Sequence, residues 1–220
     1  RVRMGVQSGS ENILEFYKRP TKLHKIKEGA KIFNKFKKYI LPPVYDIILE
    51  NPVETAEDTR ATVDMLYEMP RPFTLNVFAL RIIPNTVMEK DVQDRGVDVP
   101  TIRKSYNIDF HRTMGNCLVF ALTFWKMPRW LYKILLKKVY PVHIEQQLYP
   151  IFYRFCRTGY LLRRAFDHVR FMDFSLLPGK PGYYLWKFGI ISFWHRFILK
   201  RYNLPKKNID ISPDPEASVN

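Results

Sequence analysis

Cysteine is nearly absent from this chain, with 2 among 220 residues. That scarcity excludes the disulfide framework of a small secreted domain, and neither Cys117 nor Cys156 sits in a partner motif. Set in apolar helical surroundings, both read as reduced core thiols, the usage of a reducing compartment. The 5 histidines, His24, His111, His143, His168 and His195, lie too far apart for HExxH or a close metal pair, so no metal ligand is expected among them. GxSxG, the Walker loop and the dinucleotide fingerprint are missing too, which removes the nucleophile elbow and the phosphate-cradling loops. Long apolar runs are also lacking. The longest, CLVFALTFW from Cys117 to Trp125, is about half of the roughly 18 residues a membrane-spanning helix needs. No internal repeat and no signal peptide is visible.

Acidic residues are scarce in one part only. Residues 1–98 carry 16 Lys/Arg against 14 Asp/Glu, residues 99–205 carry 18 against 4, and the tail from Lys206 carries 2 against 3, which together give the net charge of +15. The first part is electrostatically ordinary. The second is strongly basic and holds most of the aromatic crowding, so an anionic partner is expected there, either a membrane surface or a nucleic acid. At 46% apolar residues, the chain can bury a sizeable core.

Residues 2–7 alternate and end in Ser8, Gly9 and Ser10, a strand delivering a polar turn, with Ser10 placed to cap the helix ENILEFYKR. From Leu23 to Tyr39 the apolar spacing predicts a lysine-rich helix. Val44 to Leu49 is almost wholly apolar, the pattern of a strand covered by helices on both faces. Pro52 ends it, and Thr55 with Asp58 opens the helix ETAEDTRATVDMLYEM. Thr74 to Ile83 predicts a third strand, turned by Pro84 and Asn85 into a short helix ending near Gly96. Strand and helix therefore alternate three times, with crossovers long enough for parallel pairing. Three strands cannot close a barrel or cover both sheet edges, so the first part reads as the C-terminal half of a larger α/β sheet or barrel.

Ligands of parallel α/β folds bind beyond the carboxyl ends of the strands. Those ends present Gln7, Ser8, Gly9 and Ser10, then Glu50, Asn51, Pro52 and Glu54, then Ile83, Pro84, Asn85 and Thr86. The carboxamide, hydroxyls and backbone amides suit a ribose, an amino-acid head group and a purine edge. The same residues suit the capping of helices, and the residues alone leave both readings open. Glu54 and Asp58 could form an acid–base pair, but acids in a first helical turn complement the positive N-terminus, which is the favoured reading.

Taken together, GVQSGSENILEFYKRP, YDIILENPVETAEDTRATVDMLYEMPRP and FTLNVFALRIIPNT resemble the second half of the radical SAM barrel, particularly its cobalamin-binding members. The resemblance covers about residues 1–98, with three motifs in the family's order. It implies the C-terminal half of a partial (β/α)6 barrel, strands four to six, that holds S-adenosylmethionine beside a [4Fe-4S] cluster and cobalamin. It places Gln7, Ser8 and Ser10 against the ribose and methionine part of the cofactor and Arg19 against the methionyl carboxylate. Glu50 and Asn51 fall near the adenosyl group, and Pro84 and Asn85 face the adenine. No catalytic residue is assigned. The family's CxxxCxxC loop is not in this sequence, so neither the cluster nor the cobalamin finds its ligands here. Glu50 also stands where many members have glycine.

Beyond Val99 the pattern is helical, with segments expected at Ile102 to Trp125, Pro128 to Lys138, Val142 to Arg157, Tyr160 to His168 and Tyr183 to Tyr202, and a turn at Pro178 to Gly182. The expected organisation is a barrel half over 1–98, a basic aromatic helical region over 99–205, and a disordered tail over 206–220. NCLVFALTFWKMPRWLYKILLKK and YYLWKFGIISFWHRFILKRY have the composition of interfacial membrane helices. They equally suit a helical cap on the barrel, and nucleic acid is less favoured because aliphatic residues dilute the stacking platform. The leading expectation is an enzyme for radical methylation or rearrangement of a small-molecule or lipid substrate, fed by a reductant protein, cytoplasmic, with peripheral contact at the inner membrane face. The alternatives are a noncatalytic peripheral membrane module and a methylthiotransferase-like enzyme that modifies RNA.

Overall fold

The computed structural model of the chain describes residues 2–19, 22–80, 82–97, 110–144, 147–171, 188–190, 193 and 196–197. The expected segment Tyr183 to Tyr202 lies mostly, and the turn at Pro178 to Gly182 and the tail from Lys206 lie wholly, outside these residues. Two compact units divide the chain, residues 1–161 and 162–220. In order, the elements are β1 (Arg3–Gln7), α1 (Glu11–Phe16), α2 (Leu23–Lys35), β2 (Val44–Leu49), α3 (Ala56–Glu68), β3 (Thr74–Ala79), α4 (Val87–Gln93), α5 (Met114–Phe124), α6 (Arg129–Leu136) and α7 (Pro150–Phe171). The protein is thus a mixed α/β fold around one small parallel sheet.

The strands lie in the order β1-β2-β3, with Gly5 beside Asp46 beside Asn76. That register puts Met4, Val6, Tyr45, Ile47, Leu49, Leu75, Val77 and Ala79 on one face. They belong to, or pack on, a core that also takes in Ile26 and Ala30 of α2, Val63 and Leu66 of α3, and Leu118 and Leu122 of α5. The opposite face is different. Among the described residues Arg3, Gly5 and Phe78 stay exposed there, and Asp46, Ile48 and Asn76 are half-buried. Asp46 accepts both Arg3 Nε contacts, at 2.9 and 2.8 Å, and the Asn76 amide at 3.1 Å, so a polar ladder runs across all three strands. No residue of β2 is exposed, and the face it turns away from this core is mixed, with Val44 and Thr74 buried and Ile48 half-buried beside the polar Asp46.

Local sequence signals set most boundaries. Ser10 caps α1 by accepting from Ile13 N, and Thr55 with Asp58 forms a capping box on α3. Strand β3 stops at Ala79, short of the expected Ile83. Its last ladder bond, Leu80 N to Leu49 O at 2.9 Å, reaches the end of β2, its one neighbour among the described residues. Helix α2 ends at Lys35, with residues up to Tyr39 wound as turns.

Later helices needed more revision. Helix α5 begins at Met114, where Thr113 caps it, and residues 110–113 precede it without helical structure; residues 101–109 lie outside the described residues. All of α5 through Thr123 is buried, so this segment forms core and not an interfacial surface. The helices expected at Val142 to Arg157 and Tyr160 to His168 are one helix, α7, which starts at Pro150. Proline fits a first turn, where its missing N–H has no partner to lose. Gly159 sits inside α7 because the Phe124 ring occupies the space its side chain would need. Within the second unit, Arg163 pairs with Asp167 at 3.0 Å on the same helix. Neither cysteine is in a disulfide, and both are fully buried.

Candidate strand-end site

Each strand leads to a connection that holds a non-glycine residue in the left-handed region: Gln7 at φ 69°, Glu50 at φ 60° and Asn85 at φ 64°. Only one other described residue of this kind occurs, Lys18 at φ 54° after α1. A left-handed L-residue costs roughly 1–2 kcal/mol, though asparagine visits that region routinely; Gln7 and Glu50 sit at neighbouring strand ends, where parallel folds bind ligands, and Asn85 lies farther on, past Ala79. At Gln7 the turn coincides with a register shift between Gly5 and Gln7. At Glu50 the conformation is one that glycine adopts without strain.

Half of the residues singled out from sequence spend their side chains inside the protein. The Ser8 hydroxyl pairs with Thr62 Oγ1 at 3.0 Å and accepts from Ser10 N at 3.1 Å. Ser10 donates to Asp58 Oδ1 at 2.5 Å. Asn51, 1% exposed, donates to the Tyr17 hydroxyl at 3.1 Å and accepts from Val53 N at 3.0 Å. Glu50 accepts from Asn116 Nδ2 at 2.8 Å and from His111 N at 2.6 Å, which ties the end of β2 to the start of α5. Capping and bracing thus occupy Ser8, Ser10, Asn51 and Glu50. Their backbones still shape the edge.

Gln7 and Arg19 are placed differently. A side chain on Gly5 would come within 2.8 Å of Gln7 Nε2 and 3.9 Å of Arg19 Nη2. The carboxamide of Gln7, itself 8% exposed, thus fills the space over Gly5, and the guanidinium of the exposed Arg19 borders that space. Pro84 and Asn85 are exposed and lie past the end of β3, in the turn before α4, with Asn85 N donating to Glu89 Oε2 at 2.7 Å. Gly9 explains the tightness of the first turn: a side chain there would lie 2.6 Å from Ala61 O and Thr62 Cα of α3.

Glu54, one of the strand-end residues named from sequence, is distinguished by what burial does to its carboxyl. Glu54 is 5% exposed, and burial pushes its carboxyl up to about 8, with Thr59 Oγ1 donating at 3.2 Å and nearby Asp58 adding to the rise. It is therefore a neutral acid at physiological pH, able to give a proton or donate a hydrogen bond. Asp58 behaves in the opposite way. Burial would raise it, but hydrogen bonds from Ser10, Thr55 and Asn12 outweigh burial and hold it below the usual carboxylate value. The two are not an acid–base pair; Asp58 is a cap. Burial also raises Tyr17, with Glu54 adding to the effect and Asn51 opposing it. Glu54 lines a cleft of about 470 Å³ with Glu57, Arg95 and His143, and burial lowers His143. The sequence placed Glu54 at the strand end but not its burial, which comes from the packing of α5 near α3.

Among the described residues no group of three His, Cys, Asp or Glu side chains could hold a metal ion. Two buried thiols do not fit the ligand set of an iron–sulfur cluster. No family model and no curated protein matches this chain.

Proposed function

We propose that this chain forms the S-adenosylmethionine-holding side of a cobalamin-binding radical SAM enzyme, the C-terminal half of its partial (β/α)6 barrel followed by a mainly helical region. The observation that carries the reading is the strand edge, where left-handed turns at Gln7, Glu50 and Asn85 follow three parallel strands. A second feature supports it. Helices cover one face of the sheet and a polar ladder occupies the other, which suits a barrel wall with a lumen better than a doubly wound sheet with helices on both sides.

In this proposal Arg19 pairs with the methionyl carboxylate while the Gln7 carboxamide over Gly5 orients the amino-acid head group. Ser8 to Ser10 shape the wall on the ribose side without donating to it, since their hydroxyls and their backbone amides are already committed inside the protein. Glu50 and Asn51 shape the wall near the adenosyl group, and Pro84 and Asn85 bracket the adenine. S-adenosylmethionine, reductively cleaved, supplies the radical chemistry for methylation or rearrangement of a lipid or other membrane-associated substrate. The cluster and the cobalamin take their ligands from sequence outside these 220 residues, and a reductant protein completes the system.

Equilibrium dialysis of S-adenosylmethionine against the complete open reading frame, produced and reconstituted without oxygen, tests the site. Gln7→Ala should weaken binding about tenfold, the order of one hydrogen bond to a charged group, with the thermal transition unchanged. Unchanged affinity in both Gln7→Ala and Arg19→Ala would remove the assignment. RNA retained in a salt-sensitive manner would favour the RNA-modifying alternative.

A further inference from the structure

Residues 110–144 of the basic aromatic region hold one buried helix, α5, and one surface helix, α6; α7 follows with exposed apolar residues of its own. The inner side of α6 is pinned: Tyr132 is 3% exposed, stacks on Tyr67 with ring centroids 3.9 Å apart, and donates to Asp64 at 2.5 Å. That anchor fixes the rotation of the helix. Positions 130, 133, 134 and 137, spaced as one helical stripe, consequently face outward. Trp130 is 67% exposed and Ile134 51% exposed, with Arg129, Lys133, Lys137 and Lys138 exposed around them.

We propose that this outward face of α6 docks on anionic phospholipid bilayers, with Trp130 and Ile134 entering the headgroup region and the four basic residues meeting lipid phosphates. Charge complementarity commits the surface to that occupant. Residues 110–144 hold six Lys/Arg and no Asp or Glu, so no carboxylate of that segment stands beside the patch to repel an anionic surface. Tryptophan flanked by lysine on a short amphipathic helix is the chemistry of a membrane interface. A nucleic-acid platform would need several aromatic faces, and this stripe has a single indole beside an aliphatic side chain. Crossing the bilayer is not involved, since no helix among the described residues is long and apolar enough to span it.

Vesicle co-sedimentation of the whole 220-residue chain tests the surface, and it needs neither S-adenosylmethionine nor a cluster, so its outcome is separate from that of the catalytic reading. Binding is expected to phosphatidylserine/phosphatidylcholine vesicles at low salt, with loss at high salt and little sedimentation with phosphatidylcholine alone. Lys133→Gln with Lys137→Gln should weaken partitioning about thirty-fold, from two surface charges, and Trp130→Ala should weaken it at unchanged charge. All three side chains point outward, so helical circular dichroism should be preserved. As a control, Lys37→Gln with Lys38→Gln, in the turns beyond α2, should sediment like the parent. The proposal is overturned by the absence of phosphatidylserine-dependent binding, by a Lys133/Lys137 double variant that binds like the parent, by an equal loss in the Lys37/Lys38 control, or by RNA binding that displaces the vesicles.

Discussion

Replacing Glu54 with glutamine should stabilise the protein at neutral pH and leave it nearly unchanged at pH 4.5. The folded protein holds this carboxyl protonated up to about 8, whereas in the unfolded chain it ionises near its ordinary 4.5. A raised folded value means that the group's contribution is fully present below pH 4.5 and is lost as pH rises toward 8. Each pH unit in that window removes about 1.4 kcal/mol, so the parent has lost about 3 kcal/mol at pH 7 and up to about 5 kcal/mol at pH 8. Glutamine has no proton to lose and keeps an oxygen for the Thr59 hydroxyl, 3.2 Å away. Urea unfolding followed by circular dichroism at pH 5, 7 and 8 should show the two proteins diverging as pH rises. Comparing the two at each pH cancels the contribution of Asp58, whose depressed value confines its own loss to pH below 3.8. Parallel curves, or a glutamine variant less stable at pH 7, would mean that Glu54 is ionised and paired, and the reasoning from burial would fail.

Other substitutions probe the scaffold beneath the strand edge. Gly9→Ala sets a side chain 2.6 Å from the backbone of α3; backbone cannot move aside as a side chain can, so a loss of at least about 3 kcal/mol in chemical unfolding is expected. Gly159→Ala meets the Phe124 ring and should cost about 1–3 kcal/mol, seen as a lower Tm. Asp58→Ala strips the partner from Ser10, Thr55 and Asn12 at once and should cost about 2–3 kcal/mol. That deficit should shrink as the pH falls below 3.8, where the parent's own carboxylate is protonated.

Elements written in local chemistry were legible in the sequence. The span Val44–Leu49 follows from an apolar run interrupted only by Asp46, and the caps at Ser10 and Thr55 follow from side chains that satisfy the first amides of a helix wherever it packs. Boundaries set by a neighbour were not legible. The end of β3 depends on where β2 turns left-handed, and the continuity of α7 through Gly159 depends on Phe124 lying against it. Sequence singled out the strand-end residues but could not apportion their bonds. Ser8 reaches Thr62 and Glu50 reaches Asn116 across more than fifty positions, and no local pattern encodes either pairing. For NCLVFALTFWKMPRWLYKILLKK, composition left an interfacial helix and a packed cap both open, and packing divides the segment: α5 is core, while α6 keeps an exposed face.

The central claim is that the edge formed by Gln7, Glu50 and Asn85 holds S-adenosylmethionine for reductive cleavage. Quantifying 5′-deoxyadenosine from the complete, anaerobically reconstituted open reading frame, with and without reductant, tests it most directly. Reductant-dependent product that falls in Gln7→Ala and Arg19→Ala is the predicted result. A reconstituted protein that shows no cluster and releases no 5′-deoxyadenosine would contradict it.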